Sequence, residues 1–332
     1  MIEPVITFDK DAYQPGDKVT GKVTLEVTKP MKARSVMINW LGFSRTRGVT
    51  LTQAAQRTFV YGREIAWVSK GGEDKIPCGK HEYPFSFSLP KGIPPSYKSL
   101  YGNIKYKVKV VVDRPWKLKT KVKKEFTVAS TVDKETVKKF RNEKQWVTNY
   151  TFNTGIIFSY GPLKLSVYQP QNLYTFGESM DLEYRITNHS DVAVKEIFVD
   201  FFSFGHYHAR SQLTPCKSPG GLSCPLALDQ RYNKDVKIGG SKLKCRVEPH
   251  SEGTFILPFV IPEKAKTPTF ESGLMTCGYF MEFGFKLENS SVKIRTMPLY
   301  RTIGNLPEEK TEEIKTKEQQ VSEAVAPPAY QP

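Results

Sequence analysis

The sequence predicts an all-β protein of two tandem antiparallel β-sandwich lobes, followed by a disordered C-terminal tail. Three observations predict this class. Aromatic, apolar and glycine positions between residues 6 and 44 recur 161 positions later, which indicates two copies of one fold. Apolar and polar residues alternate with the period of two that half-buried strands show. Clusters of Gly, Pro, Asp and Asn interrupt these runs at short intervals, as is typical of β-sandwiches.

The internal repeat relates individual positions of the two lobes. Its first part matches Tyr13, Gly16, Asp17, Val36, Trp40 and Phe43 to Tyr174, Gly177, Glu178, Ile197, Phe201 and Phe204. Its later part matches Phe87, Tyr97 and Tyr106 to Phe259, Phe270 and Tyr279. The spacing between the copies grows by about a dozen residues in between, so the second lobe is expected to contain an extra loop.

A chain of 332 residues fits two domains of about 150 residues and a tail. We assign residues 1–130 to the first lobe, 131–162 to a connector, 163–304 to the second lobe and 305–332 to the tail. Within the connector, Asp133 to Phe140 are expected to form one or two helical turns. The tail is rich in Glu, Lys, Gln and Thr, and it buries too little apolar surface to order itself.

The positive charge is concentrated in the first lobe. Residues 1–150 contain 29 Lys and Arg against 14 Asp and Glu, whereas the remainder contains 20 against 20. The net charge of +15 therefore belongs to the first half of the chain. Such a surface attracts anionic lipid headgroups, phosphorylated or acidic peptides, or nucleic acid.

Lysines alternate along two neighbouring predicted strands. The first strand carries Lys105, Lys107 and Lys109, and the second carries Lys117, Lys119, Lys121 and Lys123. Alternation places each set on one side of its strand. Two interpretations stay open. The lysines bind phosphorylated or acidic tails or anionic lipid, or they form a solvated face that keeps the sheet soluble and prevents edge pairing.

The cysteines and the start of the chain indicate a compartment. Five cysteines at irregular spacings favour free thiols in a reducing environment over a disulfide framework. The first residues show neither the basic flank nor the apolar run of a signal peptide, and no apolar stretch of about 18 residues follows. We therefore expect a soluble protein of the cytoplasm.

Other chemistry finds little support in the sequence. The five histidines do not fall in a hydrolase or kinase signature, so we expect no enzyme and no cofactor. His206, His208, Cys216 and Cys224 suggest a zinc site, but their spacing matches no standard module, and we interpret them as part of a surface loop. Nucleic-acid binding is disfavoured because neither a recognition helix nor an RNP-like motif is present.

The tail ends in a PPxY sequence made by Pro327, Pro328 and Tyr330. Adjacent prolines hold a polyproline II twist and lose little entropy when they dock between aromatic rings, and the tyrosine adds an aromatic anchor. WW domains recognise this chemistry. A second match, Pro94 to Tyr97, leads into a predicted strand, so we interpret it as a structural turn with a buried Tyr97.

Several motifs resemble those of the arrestin family. In the first lobe they are Phe8-Asp9-Lys10, Tyr13-Gln14-Pro15-Gly16-Asp17, Gly79-Lys80-His81-Glu82-Tyr83-Pro84-Phe85 and Asp113-Arg114-Pro115-Trp116. In the second lobe they are Gly161-Pro162-Leu163-Lys164-Leu165, Gly177-Glu178 and Asn188-His189-Ser190. The first lobe looks most like the α-arrestins, the arrestin domain-containing proteins. The resemblance implies the arrestin fold, a pair of immunoglobulin-like sandwiches.

The resemblance also implies a function. In the α-arrestin branch a PPxY tail recruits HECT-type E3 ubiquitin ligases through their WW domains, while the lobes bind cytosolic segments of membrane receptors or transporters. We therefore expect an adaptor that promotes cargo ubiquitination, endocytosis and trafficking, recruited from the cytoplasm to the plasma membrane and endosomes. The alternative is an arrestin-like sorting or coat scaffold that acts in endosomal protein transport without a ubiquitin ligase.

Overall fold

The computed structural model describes residues 3–47, 54–71, 75–116, 118–129, 146–153, 161–171, 173–208, 230–263, 267–288 and 290–305. Within these ranges every regular element is a strand. No helix with the length and apolarity needed to cross a bilayer occurs among them.

The first lobe packs two sheets face to face. Its strands are β1 (Val5–Phe8), β2 (Ala12–Tyr13), β3 (Lys18–Val27), β4 (Met31–Lys32), β5 (Ser35–Arg47), β6 (Ala54–Val68), β7 (Lys75–Ile76), β8 (Gly79–Ser88), β9 (Tyr97–Lys98), β10 (Gly102–Asp113) and β11 (Thr120–Val128). One sheet has the order β1-β3-β8 and the other β2-β11-β10-β5-β6, with β9 paired to β10. The predicted alternation is confirmed in β3, where Val19, Val23 and Leu25 are at most 1% exposed.

The second lobe repeats this arrangement. Its strands are β12 (Trp146–Asn153), β13 (Pro162–Gln169), β14 (Leu173–Tyr174), β15 (Ser179–Asn188), β16 (Val194–His208), β17 (Gln230–Val247), β18 (Ser251–Val260), β19 (Phe270–Glu271), β20 (Met275–Leu287), β21 (Ile294–Arg295) and β22 (Leu299–Ile303). They form sheets of order β12-β13-β15-β18 and β14-β22-β20-β16-β17. The two sandwiches confirm the predicted fold class.

Matched positions of the repeat make equivalent contacts. The ring of Trp40 stacks on Phe87 at 4.7 Å, and the ring of Phe201 lies 5.8 Å from Phe259. The hydroxyls of Tyr106 and Tyr279 each donate to a backbone carbonyl twelve residues earlier in the chain. Gly16 and Gly177 both adopt positive φ, at 90° and 78°. Positive φ favours glycine, which explains why both copies keep it.

The region expected to be a connector is partly strand. β12 lies within residues 131–162 and pairs antiparallel with β13, so this segment belongs to the second sandwich rather than to a linker. Aromatic residues alternate with polar ones in β12, and the ring of Phe152 packs 5.3 Å from Phe285 in the core. Burial of these rings explains why the strand joins the sheet.

The sheets also differ from purely antiparallel ones. β2 pairs parallel with β11, and β14 pairs parallel with β22. Each parallel pair is two residues long and includes a tyrosine of the repeat, Tyr13 or Tyr174, that is fully buried. These short additions carry the chain from one sheet of a sandwich to the other.

The two lobes meet through matched positions of the repeat. The ring of Tyr97 packs 5.0 Å from the ring of its counterpart Phe270, and Gly102 lies against the side chain of Met275, its own counterpart. An interface in which equivalent residues touch has the self-complementary character of a two-fold contact. Tyr207, Phe270 and Met275 are buried together with the core residues of the first lobe.

Candidate functional site

The predicted lysine sets lie on one outer face of the first lobe. β10 and β11 pair antiparallel, and Lys109 stands directly opposite Lys123. Opposed residues of a ladder point to the same side. The inward side of β10 carries buried Ile104, Tyr106 and Val108, so its lysines point outward. We call the surface formed by Lys105, Lys107, Lys109, Lys119, Lys121 and Lys123 the lysine face.

Only part of this charge is neutralised. Lys105 Nζ lies 2.8 Å from a carboxylate oxygen of Glu125, and Lys119 Nζ lies 3.4 Å from Asp113. Lys109, Lys121 and Lys123 have no carboxylate partner within the described ranges. Like charges directly opposite each other destabilise a sheet. The face therefore keeps an unbalanced positive charge at a cost in stability.

The pKa of Lys107 reflects the same excess of positive charge. Partial burial and then the positive charge of Lys123 lower this pKa, and the negative charge of Glu125 opposes the shift. Lys107 Nζ also lies 5.0 Å from the ring centroid of Phe43, where the ring quadrupole favours a cation.

An apolar strip adjoins the lysine face, and sequence reasoning missed it. On β5, Phe43 stands opposite Lys105 and Leu41 opposite Lys107, and Leu41 is in turn opposite Tyr61 of the edge strand β6. Tyr61 is 69% exposed. The partners come from distant parts of the chain, so only the register reveals them. Phe43 is 8% exposed, so Leu41 and Tyr61 are the apolar groups that a partner can reach. Cations beside such groups suit a partner that is both anionic and amphipathic.

Protection of a free sheet edge explains the lysines of β11 but not those of β10. β10 lies inside its sheet between β11 and β5, so Lys105, Lys107 and Lys109 guard no edge. Along Lys121 and Lys123, β11 pairs with β10 alone, since its contact with β2 is limited to Thr127 and Val128. The protective interpretation therefore applies to β11, and the lysines of β10 need another explanation.

The second PPxY match is folded into the lobe interface. Pro94 and Pro95 are buried, and Tyr97 belongs to β9. The Tyr97 hydroxyl lies 2.8 Å from the Tyr207 hydroxyl of the second lobe. The prolines and the tyrosine face protein, so they cannot reach between the aromatic rings of a WW domain. The structural interpretation of this motif is confirmed, although Tyr97 is half-buried rather than fully buried.

The two central histidines are not in a surface loop. His206 and His208 belong to β16 and are at most 1% exposed, which corrects the loop interpretation. Their Nε2 atoms lie 2.8 Å apart, and burial followed by the charge of His208 lowers the pKa of His206 to about 4. Across the described ranges, no three His, Cys, Asp or Glu side chains converge as metal ligands.

A second charged cluster surrounds Asp200 in the other lobe, and no local pattern of residues indicates it. The carboxylate is 3% exposed and contacts Lys237, Lys293 and Arg295, with Arg295 Nη1 at 2.6 Å. Burial acts to raise the pKa of Asp200, but hydrogen bonds from Lys237 and Arg295 outweigh it and lower that pKa. The cluster joins β16, β17 and β21, so it holds the sheet together.

Several sequence expectations concern residues outside the described ranges. They are Lys117, Cys216, Cys224, the helical turns at 133–140 and the PPxY residues Pro327, Pro328 and Tyr330. The remaining thiols, Cys78, Cys245 and Cys277, are free.

Comparison with known proteins agrees with the two-lobe architecture. Residues 3–135 match the family model of the arrestin (or S-antigen) N-terminal domain, and residues 159–308 match that of the C-terminal domain. Arrestin domain-containing protein 17 of Caenorhabditis elegans is 26% identical over 194 residues, which cover 54% of this chain and 46% of that protein.

Thioredoxin-interacting proteins are similar over a shorter stretch. Those of Rattus norvegicus and Homo sapiens are each 32% identical over 143 residues, which cover 40% of this chain and 36% and 37% of the two proteins. These alignments span less than half the length of the relatives. Both arrestin domains are present and together account for most of the sequence. The chain therefore belongs to the arrestin family, in the α-arrestin branch of arrestin domain-containing proteins.

Proposed function

We propose that this α-arrestin is a non-enzymatic adaptor that links membrane-protein cargo to WW-domain HECT-type ubiquitin ligases. Proteins of this family are generally adaptors without catalytic activity, which supports a scaffold role. The observation that carries the proposal is the contrast between the two PPxY sequences. Pro94 to Tyr97 is held in the lobe interface, whereas Pro327 to Tyr330 lies beyond residue 308, where the match to the arrestin domains ends.

The position of the tail motif suits a docking peptide. The residues between the second lobe and Pro327 are rich in Glu, Lys, Gln and Thr, a composition that favours an extended, hydrated chain. Adjacent prolines restrict the backbone before binding, which reduces the entropy lost on docking. A single copy of the motif implies weaker recruitment than two linked copies, because linked motifs gain from effective concentration.

The lysine face is the proposed contact with cargo or with the membrane around it. Lys109, Lys121 and Lys123, which have no carboxylate partner in the part of the chain that the structure describes, attract phosphorylated or acidic cytosolic tails and anionic headgroups alike. The bound adaptor then works by proximity. A ligase held by the tail meets cargo held by the lobes at high local concentration, and the chain itself makes no covalent bond.

Titration calorimetry with isolated WW domains tests the ligase half of the proposal. We expect the intact chain to bind at least one WW domain of a HECT-type ligase with micromolar affinity, and Tyr330→Ala to abolish the binding. Tyr97→Phe is the matched control, because it alters the PPxY that is held in the interface. Binding that survives Tyr330→Ala would contradict the proposed role of the tail.

The second candidate is a sorting or coat scaffold that moves cargo without a ligase. The two-lobe arrestin architecture favours it as much as the first candidate, because the lobes alone would bind cargo in either case. The two functions differ at Tyr330. Cargo sorting that is unaffected by Tyr330→Ala would support the scaffold, and sorting that fails with this substitution would support the ligase adaptor.

A further inference from the structure

The connection between β10 and β11 lies at the end of its sheet opposite the lobe interface, and we call this end the pole of the first lobe. β10 begins at Gly102, which packs against Met275 of the second lobe, and runs to Asp113 without a break. A strand of this length extends roughly 35–40 Å. The turn after Asp113 therefore projects away from the lobe interface.

Two large apolar side chains are almost fully exposed at this pole. Trp116 is 99% exposed and Leu118 is 95% exposed. Trp116 also adopts a φ of 59°, a left-handed backbone conformation that bulky residues rarely occupy. Across the end of the same sheet, Asp113 pairs with Ser35 and Ser35 pairs with Val68, which is 55% exposed. Exposure to water does not stabilise large apolar side chains, so solvation does not explain why these residues lie at this end of the sheet.

Positive residues surround these apolar side chains. Arg114 precedes Trp116, and Lys121 lies at the start of β11. Lys119 directly precedes β11, and its Nζ lies 3.4 Å from the Asp113 carboxylate. Arg34 is exposed and its backbone N–H donates to the Asp113 carbonyl, which places Arg34 beside the turn. Tryptophan prefers the boundary between headgroups and acyl chains, and nearby cations attract anionic lipid.

The shape of the pole favours a bilayer over a folded protein as the partner. A stable protein interface buries about 800 Å² on each side and needs complementary packing. A narrow hairpin end with two projecting side chains offers no such area, but a lipid interface accepts side chains singly and without a matching pocket.

We propose that this hairpin inserts into the headgroup region of an anionic membrane, with Trp116 and Leu118 as the inserted residues. The pole then faces the bilayer and β10 runs away from it. Lys119 and Lys121 lie near the headgroups, whereas Lys105, eight residues back along β10, is roughly 25 Å away, beyond the screening length in physiological salt. The lysine face near the lobe interface stays available for cargo. This inference deepens the proposed contact with the membrane and rests on that function.

Tryptophan fluorescence of the full chain tests the insertion. On addition of vesicles containing about 30% phosphatidylserine, we expect emission to shift to the blue and brominated lipid to quench it. All proteins compared carry Trp146→Phe, so the tryptophans left besides Trp116 are Trp40 and Trp67, which pack against the core of the first lobe. Trp116→Phe should then remove both effects. The same shift and quenching in Trp116→Phe would overturn the inference, and so would a wild type that gives neither.

Vesicle partitioning supplies the second measurement. Replacing Trp116 and Leu118 together by serine should weaken partitioning at least about tenfold, because both side chains lose their apolar burial. The matched control replaces Val292 and Met297, which are 67% and 74% exposed in the second lobe, and should change nothing. Both variants alter exposed residues, so their urea midpoints should equal that of the wild type. Equal partitioning of the two variants would overturn the inference.

Substitutions of two lysines distinguish insertion of the hairpin from membrane contact through the whole lysine face. Insertion by the pole predicts that Lys121→Glu weakens vesicle binding more than Lys105→Glu, whereas a lysine face lying flat on the membrane predicts similar losses. If Lys121→Glu reduces binding and the serine variant does not, the inference fails and membrane contact through the lysine face stands. Failure of the ligase adaptor is detected separately, by the WW-domain titration with Tyr330→Ala.

Discussion

The hydroxyls of Tyr97 and Tyr207 lie 2.8 Å apart and join the two lobes through a hydrogen bond. Burial raises the pKa of both tyrosines, so both hydroxyls stay protonated at neutral pH and one can donate to the other. The ring of Tyr207 also lies 5.7 Å from the ring of Tyr101 in the first lobe. This contact ties the PPxY-like sequence of the first lobe to the relative position of the lobes.

A double-mutant cycle should detect this hydrogen bond. We expect Tyr97→Phe and Tyr207→Phe each to lower the free energy of unfolding by about 1 kcal/mol, with a coupling of roughly 0.5–1.5 kcal/mol between them. Urea denaturation of the four proteins measures it. Tyr61→Phe, at an exposed position of β6, serves as a control with no expected effect. A coupling of zero would show that the two hydroxyls do not interact in solution.

Removal of the Asp200 carboxylate should destabilise the second lobe. Asp200→Asn leaves Lys237, Lys293 and Arg295 without their shared partner, but each of these cations is 29–48% exposed and can regain water. We therefore expect a loss of about 1–3 kcal/mol at pH 7 rather than the larger cost of a fully buried unpaired charge. Thermal or urea unfolding measures the difference.

The effect of Asp200→Asn on the free energy of unfolding should depend on pH. The pKa of Asp200 is lower in the folded chain than in the unfolded chain, so its ionised form stabilises the fold above pH of about 4. The difference in stability between wild type and Asp200→Asn should shrink as the pH falls below that point. A difference that stays constant down to pH of about 2 would contradict the assignment.

His206 should make the fold sensitive to mild acid. Its pKa is about 4 in the folded chain against an ordinary value of 6.5, so the unfolded chain takes up a proton first as the pH falls. Stability is therefore lost between pH 6.5 and about 4, by roughly 3 kcal/mol in full. Urea unfolding across this range should show a flatter pH dependence for His206→Gln than for wild type.

Histidine at an exposed position provides the matched control for that measurement. His189 is exposed in the turn after β15, and His189→Gln is measured at the same pH values for comparison. If His206→Gln and His189→Gln behave alike between pH 6.5 and 4, the account of the buried pair is wrong.

Charge reversal on β11 should reduce binding to anionic surfaces. Changing Lys119, Lys121 and Lys123 to glutamate removes attraction of about 1 kcal/mol per cation, so binding to phosphatidylserine vesicles should fall roughly 100-fold. Replacing Lys29, Lys91 and Lys164, which are exposed elsewhere, changes the net charge equally and should have a much smaller effect. Equal losses would mean that only net charge matters. Binding of the wild type should weaken as salt increases.

Local patterns in the sequence predicted where strands lie, but not which strands pair or in which register. The alternation around Val19, Val23 and Leu25 reflects burial of one side of one strand, and the repeat located matched residues such as Trp40 and Phe201 before any contact was known. The apolar strip beside the lysines depends on the register of β5 against β10, which no local pattern contains. Sequence reasoning therefore found the cations and missed Leu41 and Phe43.

Two wrong expectations have the same physical origin. Residues 131–162 were assigned to a connector, yet β12 lies within them, carries alternating aromatic residues and pairs with β13. His206 and His208 were interpreted as part of a surface loop because their spacing from Cys216 and Cys224 matches no standard zinc module. Their strand instead continues into the lobe interface, where both are buried. In both cases a tertiary contact overrides local composition.

A co-flotation experiment tests whether the chain bridges a WW domain to an anionic membrane. A labelled WW domain of a HECT-type ligase is mixed with phosphatidylserine vesicles and the intact chain, and the vesicles are floated on a density gradient. The WW domain should rise with the vesicles only when the chain is present. Tyr330→Ala should leave the chain on the vesicles and the WW domain behind, whereas glutamate at Lys119, Lys121 and Lys123 should leave both behind. A WW domain that floats equally with Tyr330→Ala would show that the tail motif does not hold the WW domain on the membrane-bound chain.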